Sequence, residues 1–198
     1  HSFSTKTISA TTKEDGQIIK SCTMCDYTET EAIPKVKSVK LSKTSFNYNG
    51  KVQTPSVTIK DTKGNTLKKD TDYTVKYSSG RKNIGKYTVT ITFKGKYTGS
   101  KKLTYTIVPK TTSKVTASQT TTSVTLKWNK VTGAQGYVVY RKAGNGKLTK
   151  LATVKGVSKI SYTDKKAKKG IKYSYKIRAY SGKTYSAQSN VKTIKDKY

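Results

Sequence analysis

The chain has 198 residues, room for one large domain or two small ones, and only 32% of them are hydrophobic. Its formal net charge is +31, from 41 basic residues against 10 acidic, and just three of the 41 are arginine (Arg81, Arg141 and Arg178). No run of 18 apolar residues occurs, so the sequence holds no helical membrane span, and two cysteines do not make a disulfide scaffold.

Low hydrophobicity does not here mean disorder. Tyrosine (15 residues) and threonine are abundant, and valine and isoleucine are frequent, all residue types that fit pleated, half-buried surfaces. An all-β protein with thin cores is expected. Lysine is a strongly hydrated point charge, and readers of nucleic-acid sequence lean on arginine, so a nucleic-acid partner is not expected. A lysine coat keeps sheet edges from pairing and the surface soluble. It would equally attract an anionic polymer. The chain opens on His1 without a signal peptide, and it reads as a piece of a larger precursor.

Two prolines divide the chain. Pro34 in "EAIPKVKSVKLS" and Pro109 in "YTIVPKTTSK" end strands by removing an N–H and fixing φ. The expected segments are 1–34, a Cys-x-x-Cys β-hairpin, then 35–109 and 110–198, each a β-sandwich. The first carries net −2, the second +14 and the third +19, so the basicity belongs wholly to the last two. In the first segment, "TISATT" and "GQIIKSC" are expected to pair around "KEDG", with "CTMC" as a knuckle and "DYTETEAI" leading outward.

The middle segment alternates throughout. "YTVTITF" places Tyr87, Val89, Ile91 and Phe93 on one face and Thr88, Thr90 and Thr92 on the other, and "DYTVKY" and "LTYTI" repeat the pattern. Turns are signalled by "NYNGK", "DTKGN", "SSGRKNIG" and "FKGKYTG". Residues 36–108, from "FNYNGKVQTPSVTIKDTKGNTL" to "DYTVKYSSGRKNIGKYTVTITFKGKYTGS", resemble an immunoglobulin-like repeat of large surface proteins of gut Firmicutes. The resemblance implies an extracellular, non-catalytic module and no ligand. The first segment is similar to a small Cys-bearing repeat of the same proteins: His1, then Ala10-Thr11, Asp15-Gly16, Cys22 and Cys25. Here Thr12 stands where such repeats often carry another Cys, and Asp26 where a Gly commonly follows.

In the last segment "SVTLKW", "GYVVYRK", "LTKLATV", "ISYTD", "KYSYKIRAY" and "TYSAQSNVKTI" follow a first strand "KVTAS". The order W…G-x-x-x-Y…Y-T-D…G-x-x-Y-x-Y-x-I-x-A over residues 113–195 resembles a fibronectin type III domain. The resemblance makes Trp128 the core tryptophan of the second strand and Tyr173 the tyrosine-corner residue, its hydroxyl tied to backbone. Ala167 replaces the usual Leu before that corner, and no Arg-Gly-Asp tripeptide is present. The fold class expected is therefore all-β, with tandem Ig-like and fibronectin type III sandwiches behind a small N-terminal hairpin.

Few residues could do chemistry. A nucleophile needs a base, and His1 is the sole histidine. Asp61, Asp70, Asp72 and Asp164 sit at turn signals and read as solvated turn acids. "GNGK" is a hairpin turn rather than a phosphate loop. Cys22 and Cys25 form a disulfide, a zinc knuckle with His1, or thiols. A structural zinc site wants four ligands, which makes zinc the weaker of the bound forms and leaves the module otherwise without a cofactor. Tyr137, Tyr140, Tyr162, Tyr180 and Tyr185, with Arg141 among lysines, are the candidates for a shallow sugar-binding patch; the blander alternative is that tyrosine fills half-buried strand positions.

The expected function is that of a non-catalytic extracellular module of a bacterial surface or secreted protein, a stalk, linker or accessory domain beside other domains of its parent. The module is expected to be a monomer without membrane insertion. The alternative is a binding module for anionic polysaccharide or cell-wall polymer (teichoic acid, mucin, glycosaminoglycan).

Overall fold

A computed structural model describes residues 2–194. Every regular element among them is a strand. The described residues divide into two compact units, one made of residues 2–44, 53–80 and 86–105, the other of 45–52, 81–85 and 106–194.

The first unit begins with three strands, β1 (Phe3–Ile8), β2 (Gly16–Cys22) and β3 (Thr28–Ile33), joined in the order β1-β2-β3. The expected "GQIIKSC" strand is present, but its partner is Phe3–Ile8, from Phe3 opposite Cys22 to Ile8 opposite Gln17, so of "TISATT" only Thr7 and Ile8 pair with it. The "TETEAI" stretch does not lead outward. It folds back on β2 as a third strand, with Glu31 opposite Ile18 and Glu29 opposite Lys20. Charge explains part of this, because Lys20 Nζ approaches Glu29 Oε2 at 3.7 Å and cross-strand opposite charges favour pairing. Nor is this sheet isolated. Ala10 and Ile33 are buried, the Ala10 N–H donates to Lys96 O at 2.9 Å, and Ala10 O accepts from the Thr98 N–H at 2.9 Å.

Strands β4 (Val36–Leu41), β5 (Ser45–Asn47), β6 (Val57–Asp61), β7 (Tyr73–Tyr77), β8 (Gly85–Phe93) and β9 (Ser100–Val108) form an Ig-like pair of sheets, β4-β6 and β5-β9-β8-β7. The alternation of β8 is realised, with Tyr87, Val89, Ile91 and Phe93 all buried. Burying each aliphatic side chain contributes roughly 1.5–3 kcal/mol. Tyrosine does the rest, its ring in the interior and its hydroxyl pinning a loop. Tyr77 donates to Pro55 O, Tyr87 to Gly80 O and Tyr105 to Gln53 O, each at 2.7 Å. That pairing is why so few hydrophobic residues suffice: the rings bury apolar area while each phenol keeps the partner it needs.

Besides β5, the second unit carries β10 (Thr116–Gln119), β11 (Val124–Lys127), β12 (Gly136–Ala143), β13 (Thr149–Lys155), β14 (Ser161–Asp164), β15 (Tyr173–Ser181), β16 (Thr184–Tyr185) and β17 (Lys192–Ile194). One sheet is β10-β11-β14; the other is β13-β12-β15, with β16 and β17 both pairing β15. The connectivity, three strands against four with the last strand in two pieces, is that of a fibronectin type III sandwich. Its core packs Val124, Leu126, Trp128, Tyr137, Val139, Tyr173, Tyr175 and Ile177. The break in the last strand is filled by buried serines. Ser186 and Ser189 Oγ accept the N–H groups of Ala179 and Ile177, both at 3.0 Å, so hydroxyls supplement the backbone ladder there.

Candidate binding face

The C-x-x-C turn closes the end of the N-terminal sheet. The Cys22 N–H donates to Tyr27 O at 2.8 Å, and the Thr23 N–H donates to Ser2 O at 3.0 Å. Both cysteines are thiols in this structure. The Cys25 side chain and the N–H groups of Met24 and Cys25 hydrogen-bond the Cys22 sulfur, and they hold its thiol below the ordinary range against the opposing effect of burial. The Met24 nitrogen lies 3.4 Å from that sulfur. Two sulfurs supply half of a tetrahedral set, and no third His, Cys, Asp or Glu gathers with them among the described residues. His1, the remaining metal candidate, lies outside the described residues.

The acids read as solvated are mostly engaged in the framework. Asp61 is buried and accepts the Asn65 N–H at 2.8 Å, Asp72 accepts the Lys68 N–H at 2.7 Å, and Asp15 the Lys35 N–H at 2.6 Å. Asp164 is the largest correction. It is 1% exposed and takes Arg141 Nη1 and the Tyr175 hydroxyl on one oxygen, each at 2.9 Å, and the Lys166 N–H on the other at 3.0 Å. The Arg141 guanidinium also lies 5.2 Å from the Tyr173 ring centre. Burial works against its charge, yet the hydrogen bond and charge of Asp164 outweigh that and raise its proton affinity. Arg141 is therefore engaged in the framework through its pair with Asp164. A hidden carboxylate needs such a partner.

Tyr137 also leaves the candidate patch. It is fully buried against Trp128, with ring centres 5.2 Å apart, and its hydroxyl accepts the Val131 N–H at 3.0 Å while donating to Val157 O at 2.9 Å. Tyr173 hydroxyl oxygen accepts the Lys168 N–H at 3.1 Å, a tie to backbone just upstream. Trp128 is buried, and its Nε1 has no hydrogen-bond partner among the described residues.

Of the remaining candidates, Tyr162 lies on β14 in the other sheet, opposite Leu126 and packed against the core, whereas Tyr140, Tyr180 and Tyr185 share one sheet. Tyr137 and Val139 of β12 point into the core, as do Tyr173, Tyr175, Ile177 and Ala179 of β15. The alternate residues Val138, Tyr140, Lys176, Arg178 and Tyr180 therefore face outward. Register places Tyr140 opposite Lys176, Val138 opposite Arg178 and Gly136 opposite Tyr180, and Tyr185 of β16 lies opposite Tyr180. The Tyr180 and Tyr185 rings are 6.2 Å apart and tilted by 40°. Arg178 was missed by sequence reasoning. Its guanidinium lies 5.1 Å from the Tyr185 ring centre, and its Nε donates to Ser186 O at 2.7 Å. One signal could have found it: where lysine is the default cation, each arginine deserved asking what planar partner it meets.

A cavity of about 400 Å³ in the second unit is lined by residues including Tyr48, Asn49, Lys110, Thr112, Asn129 and Lys130, without an acid, a histidine or a cysteine.

No family model matches the chain, and no curated protein matches it. Solved structures do. An Fn3-like protein from Clostridium thermocellum is 26% identical over 46% of this chain and 94% of its own, with a TM-score of 0.37. Titin domains A168–A170 are 15% identical over 91% of this chain and 74% of theirs, with a TM-score of 0.41. Chicken CNTN1 domains FN1–FN3 are 13% identical over 93% of this chain and 78% of theirs, with a TM-score of 0.43. Strand order defines the class: an all-β chain of Ig-like and fibronectin type III sandwiches.

Proposed function

We propose that the chain is a non-catalytic, extracellular module of a bacterial surface or secreted protein, serving as spacer or accessory domain to neighbouring parts of its parent. The observation that supports this reading is the employment of its polar groups. Asp61 and Asp164 are sunk into the framework, Asp15 and Asp72 hold loop backbones, and the tyrosine hydroxyls of the core pin loops. The extracellular setting rests on the resemblance of residues 1–34 and 36–108 to surface-protein repeats. Assays of the purified chain on peptidoglycan, glycan and peptide substrates test the reading. No turnover is expected, and turnover abolished by substituting one of its own residues would overturn it.

A second reading is favoured by charge. From Lys110 onward the sole acid among the described residues is Asp164, and Asp164 is hidden and paired. The outside of the second sandwich is thus cationic without relief, a field suited to an acidic polymer. Retention on cell walls or acidic glycans at low salt, lost as salt rises, is expected; no retention at low salt removes this reading.

A further inference from the structure

Resting on the acidic-polymer reading, we infer that the outward face of β12, β15 and β16 is a binding site for a carboxylated polysaccharide, with Arg178 as its anion contact and Tyr185 as its sugar contact. Lys176 and Tyr180 are four steps apart, about 13 Å of strand at roughly 3.3 Å per step, and Tyr140 and Tyr185 widen the patch across the neighbouring strands.

Arg178 is what distinguishes this face from the general lysine coat. Its Nε is fixed on Ser186 O and its plane lies against Tyr185, so the fork is held before any ligand arrives. The terminal nitrogens carry no hydrogen bond among the described residues, which leaves the bidentate edge to a carboxylate. Lys176 stands two residues along the same face. No acid competes on this sheet, since Asp164 belongs to the other one.

The aromatic geometry selects sugar over nucleic-acid bases. The Tyr180 ring lies over Gly136, where an added Cβ would come within 2.9 Å of it. The guanidinium occupies one face of Tyr185. What remains is one tilted ring, 40% exposed as a residue, with phenol hydroxyls beside it. A run of stacked bases wants successive open ring faces. A hexuronate wants one apolar platform, hydroxyl partners and a cation for its carboxylate.

The test measures binding of the full chain to polygalacturonate by calorimetry at about 50 mM and about 200 mM salt, with neutral dextran and oligo-dT as comparison ligands. Arg178→Lys keeps the net charge and removes the fork, and Tyr185→Ala removes the platform. Each is expected to weaken binding about tenfold, the scale of one charge-assisted contact, with the melting temperature of the variant checked alongside. Lys169→Gln, a charge lost elsewhere on the same unit, is expected to change it less than about twofold. If Arg178→Lys binds like the parent while salt still abolishes binding, the local site is overturned and the diffuse acidic-polymer reading stands. Absence of binding to polygalacturonate at low salt overturns both. Tighter binding of oligo-dT, weakened by the same two variants, would make the face a nucleic-acid site and overturn the carbohydrate assignment. Should Tyr185→Ala unfold, Tyr185→Leu replaces it, with the same loss expected.

Discussion

Arg141 Nη1 lies 2.9 Å from Asp164 Oδ2 in the second sandwich, and that oxygen also accepts the Tyr175 hydroxyl. The pair is unequal: the Asp164 side chain is 1% exposed and that of Arg141 25%. Removing the arginine strands a carboxylate with no access to water, whereas removing the carboxylate leaves a guanidinium that can turn outward. Arg141→Met should therefore cost more than Asp164→Asn, about 3–5 kcal/mol for the first and less for the second. Urea denaturation of the two variants checks the order; equal losses would show that the asymmetry of burial does not matter.

The Lys168 N–H reaches the Tyr173 hydroxyl at 3.1 Å and ties the loop before β15 to its first residue. Tyr173→Phe keeps the ring and drops that acceptor. A loss of about 1 kcal/mol is expected in the same denaturation assay, with faster amide exchange at Lys168. Unchanged exchange there would mean the hydroxyl does not hold the loop.

The Tyr175 phenol is pushed above its ordinary value by burial first and by Asp164 second. In the unfolded chain it ionises near 10. A raised native value means that the associated stability is intact below about pH 10 and falls as pH rises beyond it toward the native value. Absorbance titration of the phenols should show a class that ionises only with unfolding, and Tyr175→Phe should soften the alkaline fall in stability. A native titration in which all 15 tyrosines ionise together near 10 would contradict the burial.

The sandwiches were legible because period-2 alternation survives wherever a strand has one wet face, as in Tyr87 to Phe93. It fails in "GYVVY". Val138 faces outward yet is 3% exposed, so β12 is apolar on both sides and the pattern cannot say which tyrosine points in. Tyr137 was misplaced for that reason. Asp164 was misread because a turn aspartate and a buried one look alike in sequence, its partner Arg141 being 23 residues away. The third strand of the N-terminal sheet was hidden by its glutamates, residues that strands usually avoid.

The Cys22 thiol should be more reactive than an ordinary one. Hydrogen bonds from the Cys25 side chain and from two N–H groups favour its thiolate, so alkylation by iodoacetamide should begin at lower pH for Cys22 than for an ordinary thiol. Peptide mass analysis across pH checks this. Cys25→Ser, which alters the first of those contacts, should shift the Cys22 profile back upward; an unshifted profile would place the cause elsewhere.

Gly136 anchors the tyrosine face, and its missing side chain is the reason the face can form. A Cβ there would lie 2.3 Å from Val154 O and 2.9 Å from the Tyr180 ring. The first contact is backbone on the adjacent strand, so Gly136→Ala must push β13 away from β12 or lift Tyr180. Gly182 gives the contrast: its φ is +56° with open space around the added carbon, so alanine there meets only the left-handed strain of about 1–2 kcal/mol. Gly136→Ala is expected to cost about 3 kcal/mol, the upper range for forced packing, and to weaken polygalacturonate binding. Gly182→Ala should lose less stability and no affinity. A Gly136→Ala variant as stable as Gly182→Ala would mean that the close approach of β12 to β13 at this point is not fixed.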